Sequence, residues 1–265
     1  MIALLFHPVD GRPQHVGGRC FLLLVALALW PVFAQAQLAW HTITPPALGH
    51  DIGVARFDLG AGAPTHVTVL TDGGKWAGET DLVARLAALH AAHPAYPPTR
   101  YVLVGTIDSA ANVDHRDRLF ACGTDALRGA LAQTVLPWAE GDLPAAIPPA
   151  RRTLVGLSLG AAHAAHELTR EDSPFASFVL LSPITYSCDG LAREIAFLSA
   201  AFAKTRRAYV STGVLDAETY TRPLLPLLRG AGVATALVET DGDHDFANWD
   251  AQWPRVLAWL HAPGP

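Results

Sequence analysis

The chain has 265 residues, of which 51% are hydrophobic and only 16% charged; the usual charged fraction is about 25%, so most of the chain must serve one large buried core. Its formal net charge is −5 at pH 7 with no Lys/Arg run, which argues against nucleic acid or an anionic membrane surface as a partner.

Residues 1–36 read differently from the rest. Arg12 and Arg19 precede the apolar run Phe21 to Phe33, and Ala34-Gln35-Ala36 offers the small residues a signal peptidase needs. This order of charged, apolar and cleavable parts predicts a signal peptide over 1–36 and a single exported domain over 37–265, periplasmic or secreted. Pro31 interrupts the run, which is shorter than the roughly 18–20 apolar residues a bilayer span needs, so no stable membrane insertion is expected after cleavage. Cys20 falls within this segment, leaving Cys122 and Cys188. An even cysteine count in an exported chain admits a disulfide between them, and two separate buried thiols are the other reading.

From residue 38 the elements follow in a regular order. The stretch 38–60 suggests one or two antiparallel edge strands. "HVTVLTDG" (66–73) reads as a strand and "ETDLVARLAALHAAH" (79–93) as a helix with apolar residues three and four apart. The alternation continues with strand "TRYVLVGTID" (99–108), helix "DALRGALAQTVLPWAE" (125–140), strand "RRTLVGLS" (151–158) and helix "LGAAHAAHELTRE" (159–171). Strand "SFVLLSP" (177–183), helix "LAREIAFLSAAFAK" (191–204), strand "RRAYVSTGVLD" (206–216) and helix "TRPLLPLLRGAG" (221–232) come next. Strand "TALVETDGDH" (235–244) and helix "AQWPRVLAWLHA" (251–262) complete the series. Repeated βα units predict an α/β fold: a mostly parallel sheet with helices on both faces, and no insertion large enough for a lid domain.

Ligands of such sheets bind beyond the carboxyl ends of the strands, so the residues just past each strand matter most. Gly156-x-Ser158-x-Gly160 sits between a strand and a helix. Small neighbours there permit a turn tight enough to thrust the serine hydroxyl out over a helix start. A serine becomes a nucleophile when a base takes its proton and a third group orients that base. On this sheet the acid and then the histidine should follow the serine in chain order. Asp216 stands at one downstream strand end and His244 at the next; Glu218, Asp241 and Asp243 compete for the acid's role. His163 and His166 lie one turn apart, without an evident third metal ligand, and read as a partly exposed helix face. Oxyanion stabilisation needs two backbone N–H groups. Leu159, after the serine, is one candidate, and the loop holding Gly73 and Gly74 supplies the other.

Taken together and in order, these blocks resemble the enterochelin (enterobactin) esterase group of the broad putative-esterase family, which also contains feruloyl esterases, esterase D and mycolyltransferases. "VLTDGGKW" is similar to the family's Leu-Leu-Asp-Gly-x-x-Trp block, "VGLSLGA" to its serine elbow, "STGVLDAE" to its Gly-x-x-Asp block and "DGDHDFANW" to its histidine block. The resemblance covers residues 40–262. It implies an α/β-hydrolase fold and a serine esterase working through an acyl-enzyme on a small-molecule ester, without metal or cofactor. Carried over, Ser158 is the nucleophile, His244 the base, Asp216 the acid, and Gly74 and Leu159 the oxyanion donors.

The chain also departs from the pattern. Arg116-Asp117-Arg118-Leu119-Phe120 lacks the glutamate that follows this arginine in siderophore esterases, which weakens the expectation of a trilactone substrate specifically. Arg116 is a candidate contact for an anionic or catecholate group, or else a solvated arginine; Trp76 and Trp249 either stack on a substrate ring or pack in the core. The expected substrates are siderophore esters, with feruloyl or acyl-sugar esters as the alternative. A non-catalytic binding module on the same scaffold is the reading from another class.

Overall fold

The structure, a computed structural model, describes residues 38–108, 111–120, 125–185, 190–214 and 221–262. The expected signal segment, Cys122, Cys188 and Asp216 lie outside the described residues.

β1 (Trp40–Ile43), β2 (Ile52–Leu59), β3 (His66–Leu70) and β4 (Thr99–Val104) precede a small hairpin of β5 (Ile107–Asp108) and β6 (Val113–Asp114). β7 (Arg152–Leu157), β8 (Ser177–Leu181), β9 (Arg207–Thr212) and β10 (Ala234–Glu239) follow. One sheet has the order β1-β2-β4-β3-β7-β8-β9-β10. β2 runs antiparallel to both β1 and β4, and the remaining pairs are parallel. The antiparallel edge expected over 38–60 is therefore β1 and β2.

The central strands are legible as apolar runs because both of their faces are covered. Every residue of β4 and β8 is buried, whereas β10, at the sheet's edge, is half-exposed along its length. α1 (Gly73–Glu79) and α2 (Leu82–Ala92) follow β3, and α3 (Arg116–Phe120), α4 (Asp125–Ala130) and α5 (Leu136–Glu140) lie between β4 and β7. α4 leads into α5 through a π-turn at Leu131–Val135. Pro137 stands just beyond it, where the missing N–H and the ring disrupt the ordinary ladder. α6 (Leu159–Leu168) follows β7, while α7 (Leu191–Ala196) and α8 (Ala200–Ala203) link β8 to β9. α9 (Leu224–Ala231) precedes β10, and α10 (Phe246–Ala251) and α11 (Trp253–Leu260) follow it.

These helices form two hydrophobic layers. Leu119, Leu131, Leu168 and Leu228 join Leu154 and Phe178 on one face of the sheet. Trp76, Leu86, Trp253 and Leu257 join Leu70, Val155 and Tyr209 on the other. The long connection between β4 and β7 packs Leu119, Phe120, Leu127 and Leu136 into the first layer, so its described helices cover the sheet and do not build a separate lid.

α6 corrects one expectation. It is buried from Gly160 to Leu168, so His163 and His166 do not lie on a partly exposed face. His163 is fully buried, and burial chiefly pushes its imidazole down to about 3, which keeps it neutral. His166 Nδ1 lies 2.7 Å from Glu194 Oε2. Among the described residues no cluster of His, Cys, Asp and Glu has the makings of a metal site.

Candidate active site

β7 ends at Leu157 and α6 begins at Leu159, leaving one residue for the whole change of direction. That residue, Ser158, has φ 54° and ψ −118°, a region that a side chain makes unfavourable. Its neighbours explain how it is reached. A Cβ on Gly156 would lie 2.2 Å from Gly160 O, and one on Gly160 would lie 2.5 Å from Thr71 Oγ1. The first glycine lets α6 fold back over its own strand; the second lets the loop after β3 press against the elbow. The strained residue is pinned through its backbone: Ser158 N donates to Leu181 O at 2.8 Å, and Ser158 O accepts from Ala162 N and Ile184 N, each at 3.2 Å. The Ser158 side chain makes no capping bond to α6, and its Oγ lies 2.9 Å from His244 Nε2.

His244 arrives from the far side of the sheet on the short loop between β10 and α10. Thr240 N donates to Thr212 O at 2.9 Å and Val214 N to Gly242 O at 3.2 Å, which ties this loop to the end of β9. The approach is close enough that a Cβ on Gly213 would lie 2.3 Å from Gly242 O. Asp245 caps α10 by accepting from Asn248 N at 2.8 Å. Asn248 Nδ2 donates to Asp243 O at 2.9 Å, and Thr240 Oγ1 donates to Asn248 Oδ1 at 2.8 Å. One amide side chain therefore fastens the stretch leading to the imidazole at two points, the Thr240 hydroxyl and the Asp243 carbonyl. Sequence reading missed Asn248; the Asp-x-x-Asn spacing marks the helix cap, but the contact with Thr240 is visible only in three dimensions.

Behind the imidazole, Trp249 meets His244 edge-on at 5.0 Å between ring centroids. It is 4% exposed, and its Nε1 donates to Ser182 Oγ at 3.1 Å. Trp249 thus supports the histidine from within, which is the packing alternative of the two readings open to it. Trp76 likewise packs. It is fully buried, with Phe246 edge-on at 5.4 Å and Trp253 at 5.8 Å, so its faces belong to the core.

The candidate acid, Asp216, lies outside the described residues, as does Glu218. The competing Asp241 and Asp243 are exposed. Val214, the last described residue before Asp216, is bonded to Gly242, two positions before His244.

The two candidate oxyanion donors stand at helix starts. Leu159 is the first residue of α6 and Gly74 the second of α1; first-turn amides have no acceptor within their own helix, and the partial positive charge there favours an anion. Because β3 and β7 are adjacent, with Leu70 opposite Val155, both helices open at the same sheet edge. Gly73 is needed for this packing, since a Cβ there would lie 2.6 Å from Val104 N.

Asp72 makes the turn into α1 with φ 56°. Its carboxylate is fully buried and faces Arg116, with Nε 2.6 Å from Oδ1 and Nη2 3.2 Å from Oδ2. Burial pushes the Asp72 carboxyl above its ordinary range, although the bond and charge of Arg116 pull the other way. The guanidinium also lies over Phe120 at 5.6 Å. Two of the Arg116 donors, Nε and Nη2, are therefore committed within the protein, which corrects the reading of Arg116 as a solvated arginine. The partner absent from its own helix is supplied from position 72.

A strand-elbow-helix serine facing a histidine over a mostly parallel sheet defines the α/β-hydrolase class. The family model described as "Putative esterase" matches residues 46–226, and the chain belongs to that family. No curated protein matches it by sequence. The enterobactin esterase Fes from Shigella flexneri is similar in structure, with a TM-score of 0.71 and 21% identity over 84% of this chain and 58% of that one. The present chain thus spans little more than half the length of that relative. A siderophore hydrolase, EstB from Aspergillus nidulans, matches with a TM-score of 0.68 and 16% identity, covering 87% of this chain and 98% of that one. A ferulic acid esterase matches at a TM-score of 0.68 and 16% identity, over 84% of this chain and 97% of that one.

Two stability outcomes follow from the packing. Gly156→Ala introduces the 2.2 Å contact and should cost about 3 kcal/mol or more, as strain and overpacking do. The control Gly230→Ala, in a helix with nothing within 4 Å of the new Cβ, should gain about 0.4–1 kcal/mol; urea denaturation midpoints check both. Arg116→Ala leaves a buried carboxylate unpaired and should lose about 3–5 kcal/mol. Asp72→Asn in the same chain should restore part of that loss, measured as a double-mutant cycle.

Proposed function

We propose that the protein is a serine carboxylic-ester hydrolase working through an acyl-enzyme. The reading rests on one observation, the 2.9 Å separation of Ser158 Oγ and His244 Nε2 at a strained strand-to-helix elbow. His244 takes the hydroxyl proton as Ser158 attacks the ester carbonyl, then returns it to the leaving alcohol. The same histidine next activates the water that releases the acid. Asp216 acts as the acid that fixes the imidazole's tautomer and stabilises its protonated form. The Leu159 and Gly74 amides receive the oxyanion, where a preorganised donor contributes about 2.7–4 kcal/mol to lowering the barrier.

For the substrate we favour bulky esters with an aromatic part, siderophore esters first and feruloyl-type esters second. Structural similarity to an enterobactin esterase, a siderophore hydrolase and a ferulic acid esterase supports this range. So do the large apolar side chains that stay exposed on segments following β4, β8 and β9, namely Ile107, Val113, Phe197 and Val214. The apolar run before residue 37 supports export through a cleaved signal peptide. Among the described residues no helix is long and apolar enough to cross a membrane.

Purified protein should hydrolyse p-nitrophenyl acetate, and Ser158→Ala should lower kcat by roughly 10⁴-fold or more with an unchanged circular dichroism spectrum. Equal rates in the two proteins would leave only a binding role. A higher kcat/KM on a catecholate trilactone than on methyl ferulate would support the siderophore assignment, and the reverse order would transfer it to feruloyl esters.

A further inference from the structure

At the amino ends of the strands, opposite Ser158, the sheet carries a row of polar residues that packing alone does not call for. Thr68 of β3 pairs with Thr153 of β7, Thr153 with Ser177 of β8, and Ser177 with Arg207 of β9. The three hydroxyl residues are 3%, 6% and 4% exposed. Central parallel strands are ordinarily apolar at such positions, as β7 is from Leu154 onward and β8 from Phe178 onward. The row lines a cavity of about 180 Å³, closed on its remaining sides by His66, Arg151, Leu260 and His261.

The charge balance of this cavity is one-sided. Arg207 donates to Ser177 Oγ at 2.9 Å and to the Leu260 carbonyl at 2.6 Å, and it has no carboxylate partner among the described residues. The Arg151 side chain makes no hydrogen bond or ion pair among the described residues, and no acidic residue lines the cavity. His261 contributes a buried Nε2 without a hydrogen-bond partner. Both histidines register the positive field: burial, then Arg151 and Arg207, hold His66 below its ordinary value, and burial with His66, His90 and Arg207 takes His261 down to about 4. A guanidinium cannot shed its proton to relieve such a site. Buried hydroxyls beside two guanidinium groups, with no acidic residue in the lining, match the needs of a small oxyanion.

We infer that the cavity between Thr68, Thr153, Ser177, Arg151 and Arg207 is a binding site for a small oxyanion, phosphate or a carboxylate, separate from the ester-cleaving site. Arg151 and Arg207 meet its charge, while the threonine and serine hydroxyls take the remaining oxygens. The site does not depend on the proposed esterase activity.

Calorimetric titration of the purified protein with inorganic phosphate tests this. Saturable binding with Kd on the order of 1 mM or tighter is expected, with thermal stabilisation that grows with phosphate concentration. Arg151→Ala, at an exposed position, should weaken binding roughly tenfold or more, and Thr153→Val should weaken it by a smaller factor. Hydrolysis of p-nitrophenyl acetate by Arg151→Ala should match the parent. A parallel titration with acetate separates the two sources: tighter phosphate points to a tetrahedral anion and tighter acetate to a carboxylate. No saturable heat with either anion, or the same affinity in the parent and both variants, would overturn the inference.

Discussion

At the end of β7 the chain reverses into α6 with so little clearance that the Gly160 carbonyl occupies the space a side chain at 156 would need. This steric closure holds Ser158 in a conformation it would not adopt alone, and backbone bonds from Leu181, Ala162 and Ile184 maintain it. Strain of this kind persists only where surrounding structure over-determines it. The burial of α6 supplies that structure. Its Ala161, Ala162, Ala164 and Ala165 are all buried, so the helix can sit close to the sheet and cannot swing to relax the elbow.

The same closeness extends to the neighbouring loop. Gly160 contacts Thr71 and Asp72, and Asp72 in turn holds Arg116. A single chain of contacts thus runs from the Ser158 elbow, through the left-handed turn that opens α1, to the helix beyond β4. The guanidinium offsets the desolvation of a buried carboxylate, and the carboxylate fixes the arginine's fork. Neither acts at a distance; each keeps the loop that presents Gly74 at a set height above the sheet.

Much of this was legible in the sequence wherever the signal is local. Apolar runs marked β3, β4, β7, β8 and β9, and the two glycines flanking Ser158 announced the turn between strand and helix. His244 could be picked out because few histidines follow a strand. What could not be read depends on which distant residue fills a space. A tryptophan in a glycine-rich loop looks the same whether it faces a substrate ring or, as Trp76 does, Phe246 and Trp253. Arg116 looked unpartnered because its acid lies 44 positions away. The strand expected to run to Gly73 stops at Leu70, since Asp72 must turn left-handed to meet both Gly160 and Arg116. The sequence suggested a partly exposed face on α6, and only the three-dimensional packing shows that it is buried.

β7 lies deep in the sheet and β10 at its margin, so the serine and the histidine are delivered by regions of unequal local stability. Loosening the Thr240–Asn248–Asp243 fastening at that margin would part the imidazole from the hydroxyl while the elbow stays shut. Amide protons of β10 should therefore exchange with solvent sooner than those of β7, and the Ser158–His244 contact can open without disturbing the elbow.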